Sequence, residues 1–303
     1  MWRVDHPQLP RLPRFARLFV IVWLSMMAPV AADPLPANPP ATTPPQRIVA
    51  LAPNLTELLF AVGAGDQLVA VADYSDHPPQ AKTIPRIGGY DRFDPEAVLA
   101  ARPDLVIGWP GGNPEHLLTL LQRLGLKLLL LDPRRLDEIP TALTTLGALT
   151  GHEAEAQRQA NDFQVRLEGV RLRHQNAAPV GVFYQVWHQP LMTVNGTHLI
   201  SDVIRACGGV NIFDDLPVLA PVIDLEAVLA RDPEAIIASG MDDSRPEWLD
   251  QWRRWTPMRA VRGDQLFFVP PDLIQRHTPR ILEGAQILCE HLERVRQNRT
   301  MKH

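Results

Sequence analysis

Short apolar runs predict strands over 47–51, 68–72, 105–109 and 127–131, each set off by turns or by residues at helical spacing. Helices are expected to open at Pro53-Asn54, Pro95 and Asn113-Pro114, where proline or a side-chain cap suits a first turn. Strands alternating with helices imply a largely parallel sheet. From His152 to Gln175 the chain is charged and free of proline, with Ala156, Ala160, Phe163, Leu167 and Val170 at helical spacing. A helix of about 24 residues would span roughly 36 Å. Apolar strands resume over 180–186 and 266–269.

The phrase FDPEAVLAARPDLVIGW at 93–109 recurs as IDLEAVLARDPEAIIAS at 223–239. A second echo links Asn54-Leu55-Thr56 and Asn195-Gly196-Thr197, each opening an apolar helix that runs into a glycine turn, at Gly63/Gly65 and Gly208/Gly209. Two copies imply two lobes rather than a solenoid. The expected fold is α/β: two similar lobes with central, mostly parallel sheets, joined by a single long rigid helix. A stiff connector limits how far the lobes move against each other. The expected parts are a signal peptide (1–32), a Pro-rich flexible leader (33–46), an N-terminal lobe (47–150), a bridging helix (151–177), a C-terminal lobe (178–295) and a tail (296–303).

The start of the chain changes the picture from fold to compartment. Arg3, Arg11, Arg14 and Arg17 precede the apolar run Leu18 to Met27, and small residues lead up to Ala32, the pattern of a cleavable export signal. The expected location is the periplasm. The 303-residue chain carries a formal charge of −4 with no basic stripe, which argues against nucleic acid. An oxidising compartment favours pairing the two cysteines, Cys207 and Cys289; two separate buried thiols are the alternative.

No phosphate loop, nucleophile elbow or zinc helix is present, so no enzyme, catalytic residue, catalytic cofactor or metal is expected. Instead, aromatic residues stand at strand ends: Tyr74, Tyr90 and Trp109 in the first lobe, and Trp187, His188 and Met192 in the second. Sheet ends facing a crevice are the usual ligand position, and aromatics offer flat walls to a planar guest. Asp272 and Arg276, spaced by four, either pair with each other on the surface or point polar groups at a ligand. Glu96 and Glu226 hold equivalent places in the repeat; a helix N-terminus explains each singly, and a two-fold symmetric partner explains the pair. Trp248, Trp252 and Trp255 have the spacing of a buried helix face.

Over about 47–292 the chain resembles the periplasmic cobalamin-binding proteins of ABC importers, the BtuF family. The likeness rests on YSDHPPQ at 74–80, PDLVIGWPGGN at 103–113, CGGVNIF at 207–213 and PRILEGAQILC at 279–289. It implies a receptor that binds cobalamin or a related corrinoid and delivers it to a permease dimer with its ATPase subunits, and that is a monomer when free. It further implies that Tyr74, Tyr90 and Trp109 line the corrin site from the first lobe. Met192 stands where a phenylalanine packs on the ligand, and Asp272 and Arg276 supply polar contacts. Glu96 and Glu226 match the two glutamates that dock on the permease, and Cys207 and Cys289 match the family's disulfide. Two departures are Tyr90, where tryptophan is usual, and Ala220, where a ligand-contacting tryptophan is expected. Trp187 or His188 is placed to compensate, His188 also as a cobalt ligand. The rival is the same fold serving haem or a ferric siderophore.

Overall fold

The computed structural model describes residues 43–240 and 244–300. The expected signal peptide, most of the leader and the last three residues of the tail lie outside the described residues.

The first lobe runs β1 (Ile48–Ala50), α1 (Pro53–Ala61), β2 (Leu68–Val71), α2 (Pro95–Ala100), β3 (Leu105–Gly108), α3 (Glu115–Arg123), β4 (Leu128–Leu130) and α4 (Glu138–Thr150). Its strands pair in the order β2-β1-β3-β4, all parallel, with Val49 opposite Ala70 on one side and Val106 on the other. Strands β1 and β3 are buried throughout, as sheets covered on both faces require. Gly151 ends α4 in the left-handed conformation at φ 78°, which glycine adopts without strain.

The connecting helix α5 (Glu153–His174) has 22 residues. Its buried positions are Ala156, Ala160, Phe163, Leu167 and Val170, the five that the apolar spacing marks. These side chains join one continuous core holding Leu58 and Leu146 of the first lobe with Val203 and Leu288 of the second. The helix therefore bridges the lobes as apolar packing, worth about 1.5–3 kcal/mol for each large side chain buried.

The second lobe follows as β5 (Val180–Gln185), the hairpin of β6 (Trp187–His188) and β7 (Leu191–Met192), α6 (Leu199–Ala206), β8 (Gly209–Asn211), α7 (Leu225–Arg231) and β9 (Ala235–Ala238). A 3-10 helix at Glu247–Arg254 leads to α8 (Arg259–Arg262), β10 (Leu266–Phe268), α9 (Pro271–Ile274) and α10 (Ile281–Thr300). Its sheet is parallel in the order β10-β9-β5-β8. Numbered from each lobe's own first strand, both sheets read 2-1-3-4, and the repeated phrases are α2-β3 and α7-β9. Equivalent aspartates cap the two repeated helices: Asp94 accepts from the Glu96 amide at 2.8 Å and Asp224 from the Ala227 amide at 2.7 Å.

The tryptophan stripe differs from its expected form. Residues 247–254 wind as a 3-10 helix, whose three-residue turn does not keep i, i+4 and i+7 in line. Trp252 is buried, while Trp248 and Trp255 are only partly covered. The expected tail is also helical as far as Thr300. Arg296 and Arg299 fasten that last turn to the backbone carbonyls of Ala178 and Pro179 at 2.8 and 2.7 Å.

Cys207 and Cys289 form a disulfide between the end of α6 and the middle of α10. Its sequence separation of 82 makes it worth about 4–5 kcal/mol in the chain-entropy treatment.

Candidate functional site

Because every strand in both sheets is parallel, each lobe presents its carboxyl-end loops along one edge. A cavity of about 450 Å³ lies between the lobes where these edges meet. Pro53 and Asn54 reach it from the end of β1, Tyr74 from beyond β2, and Trp109 from the end of β3. Tyr90 enters from the loop before α2. The second lobe contributes Val186 and Trp187 after β5, Gly240 after β9, and Pro271, Asp272, Gln275 and Arg276 after β10.

The first-lobe wall is held from behind. Buried Asn113 accepts from the Trp109 amide through Oδ1 at 2.6 Å; its Nδ2 donates to the carbonyls of Leu51 at 2.9 Å and Tyr90 at 2.7 Å. One amide side chain thus ties the ends of β1 and β3 to the Tyr90 loop. The Trp109 indole donates to Asp132 at 2.9 Å, and its ring lies 5.8 Å from that of Tyr90 and 5.7 Å from that of His277. Burial, followed by the nearby Asp91 charge, raises the pKa of the Tyr90 phenol and keeps it protonated.

Tyr74 is 72% exposed and has a φ of 62°, an uncommon backbone for a bulky residue and one that marks local strain. Two arginines hold the strained turn. Arg86 donates to the carbonyls of Ala72 at 3.1 Å and Ser75 at 2.8 Å, while Arg276 donates to that of Tyr74 itself at 3.2 Å.

Beside Trp109, the buried His277 ring lies 6.0 Å from that of half-buried His198. Burial pushes the pKa of His277 down to about 4, against a raising contribution from Asp132 and a hydrogen bond to the Pro133 backbone. His198, the α6 cap, is pushed down to about 4 by burial and by His277. Both rings are neutral at pH 7.

Asp272 and Arg276 do pair, at 2.7 Å, but away from the surface: the Arg276 side chain is only 11% exposed. Asp272 stands on α9 and Arg276 just beyond it. Arg276 also reaches across the lobes to Glu57 at 2.7 Å and Asp76 at 2.8 Å.

Met192 does not line the cavity. It pairs directly with Trp187 across the β6-β7 hairpin, and it is Trp187 that stands in the lining. Ala220 is exposed and stands apart from the lining. His188 also lies outside it, stacked on Trp248 at 5.3 Å. Glu96 and Glu226 are exposed in the first turns of α2 and α7, and neither has an ion-pair partner among the described residues. Sequence reasoning did not single out Asn113, Gln275 or Glu57. Glu57 and Asn113 find partners far along the chain, which no local spacing reveals.

Residues 48–273 match the model of a family described as periplasmic binding protein. The chain is 35% identical over 278 residues to the vitamin B12-binding protein of Vibrio cholerae, covering 91% of this chain and 97% of that one. Among solved structures, it is similar to periplasmic vitamin B12 binding protein BtuF of Vibrio cholerae, with a TM-score of 0.77, 35% identity, and coverage of 84% of this chain and 99% of that one. The periplasmic heme-binding protein RhuT of Roseiflexus sp. RS-1 superposes with a TM-score of 0.73 at 21% identity, covering 82% of this chain and 99% of that one, a likeness of fold alone.

Proposed function

This chain belongs to the periplasmic binding protein family, and we propose that its cleft captures cobalamin or a related corrinoid for delivery to an ABC permease. The observation that carries the reading is the meeting of Tyr74, Tyr90 and Trp109 with Trp187 in one interlobe cavity at the strand ends. Flat rings on opposite walls suit a flat, bulky guest. Affinity comes from burying its faces, at about 25 cal/mol per Å² of apolar area before association costs are subtracted. Identity of 35% to a vitamin B12-binding protein over nearly the full length of both chains supports the corrinoid over other guests of this fold.

Export to the periplasm is part of the same proposal, supported by the arginine-led apolar run at the start of the chain. So is docking through Glu96 and Glu226. Both stand in the first turn of equivalent helices, and their exposed carboxylates are available to cations of a two-fold partner.

Haem is the rival guest, because a tyrosine of the cleft could serve as its axial ligand. The test is isothermal titration of the mature protein with cyanocobalamin, cobinamide and haemin. Saturable binding of a corrinoid at one site is the expected result; binding of haemin alone rejects the proposal.

A further inference from the structure

Arg276 is the only cationic side chain that lines the cavity among the described residues, and nothing about it is free. One of its amino groups donates to Glu57 at 2.7 Å and Asp76 at 2.8 Å; the other donates to the Tyr74 carbonyl at 3.2 Å and forms an ion pair with Asp272 at 2.7 Å. Glu57, on α1, is the innermost of these acids at 4% exposure. It also accepts from Thr278 Oγ1 at 3.0 Å and from Arg280 at 3.1 Å. Two guanidiniums therefore face three carboxylates, and Lys82 adds a lesser through-space charge on Asp76. Burial alone would raise the Asp76 pKa, but the hydrogen bond and charge of Arg276 prevail and hold it below the usual carboxylate range.

An arginine at the wall of a cleft is an anion site when its fork is open. Here the fork is closed by carboxylates of the protein itself. A ligand carboxylate entering the cavity sheds its hydration, finds no unmatched cation, and meets negative oxygens close by. A primary amide carries no charge, so it needs no unmatched cation and is not repelled by the carboxylates around Arg276.

We propose that Glu57 determines selectivity by neutralising Arg276, so that the cleft accepts a macrocycle rimmed with uncharged amides and turns away the same macrocycle bearing carboxylates. This deepens the corrinoid reading and rests on it.

The test compares cyanocobalamin with its separated monocarboxylate isomers, in each of which one rim amide is hydrolysed to the acid. Titrations use the native protein, Glu57→Gln and Asp76→Asn. The native protein is expected to bind at least one acid isomer about tenfold more weakly than the amide, and Glu57→Gln to narrow that gap severalfold as one negative charge leaves the cluster around Arg276. Asp76→Asn removes a more exposed carboxylate from the same guanidinium, should narrow the gap to a lesser degree, and keeps the test alive if the buried substitution fails to fold. A gap below about twofold for every isomer overturns the inference, as does a gap that neither variant changes. A gap that responds to Asp76→Asn but not to a folded Glu57→Gln removes the role from Glu57. Tight cyanocobalamin binding with equal affinity for the acids rejects this inference alone, whereas no corrinoid binding at all rejects the function on which it rests.

Discussion

In the first lobe, three aromatic rings reach the cleft from loops fastened to the sheet, whereas in the second a single indole does so from a two-stranded hairpin. The two sheets share one strand order, so topology does not produce the difference. It arises in the loops. Asn113 binds the first-lobe loops to β1 and β3 through the backbone, so Trp109 and Tyr90 are placed before any ligand arrives. Trp187 is steadied mainly by its neighbours, donating from Nε1 to the Gln189 carbonyl at 2.9 Å and packing beside His188. A duplicated scaffold thus fixes where a ligand sits, and unequal loops decide which lobe holds it. Preorganised rings lose little freedom on binding, which favours the first lobe as the main anchor.

The sharpest way to break that contrast is to shorten the rings one at a time and measure corrinoid affinity by titration. Trp109→Ala is expected to weaken binding about thirtyfold, the scale of a well-packed aromatic anchor. Trp187→Ala should weaken it by about fivefold, and Met192→Ala by less than twofold. An equal loss at Trp109 and Trp187 would mean that the lobes share the ligand evenly, and no loss at Trp109 would remove it from the site.

Acid probes the seam instead of the walls. His198 and His277 come from the second lobe, and His277 packs its ring against Trp109 of the first. Their folded pKa values near 4 lie below the ordinary 6.5, so between these limits the unfolded chain binds more protons than the folded one. Stability is therefore full above about pH 6.5 and falls as the pH drops toward 4, by about 2 kcal/mol for each ring by pH 5. Denaturant melts from pH 7 to 5 measure this directly. A flat profile that is unaltered by His277→Gln would show that the rings are not buried as neutral groups.

The smallest effect on affinity is expected far from the rings. Glu96→Ala combined with Glu226→Ala should leave cyanocobalamin binding unchanged, because neither residue lines the cavity. Uptake in cells should fall, and docking to the permease should lose its sensitivity to salt. Normal uptake by the double variant would remove the symmetric docking role and leave each glutamate as a helix-end charge.

Local pattern and repetition in the sequence determined the strands, the two-lobe α/β plan, the buried face of α5 and the candidate aromatic walls. Periodicity encodes which face of an element is apolar, and a duplicated phrase encodes equivalent elements, so both can be read without coordinates. The closed fork of Arg276 could not, because its partner Glu57 is 219 residues away and no spacing rule links them. The same holds for Asn113, which looked like an ordinary helix opener, and for Met192, whose hairpin partner Trp187 stands in the lining instead. Such contacts depend on how two separately patterned lobes meet, and only tertiary packing decides which of their polar and aromatic groups end up facing each other.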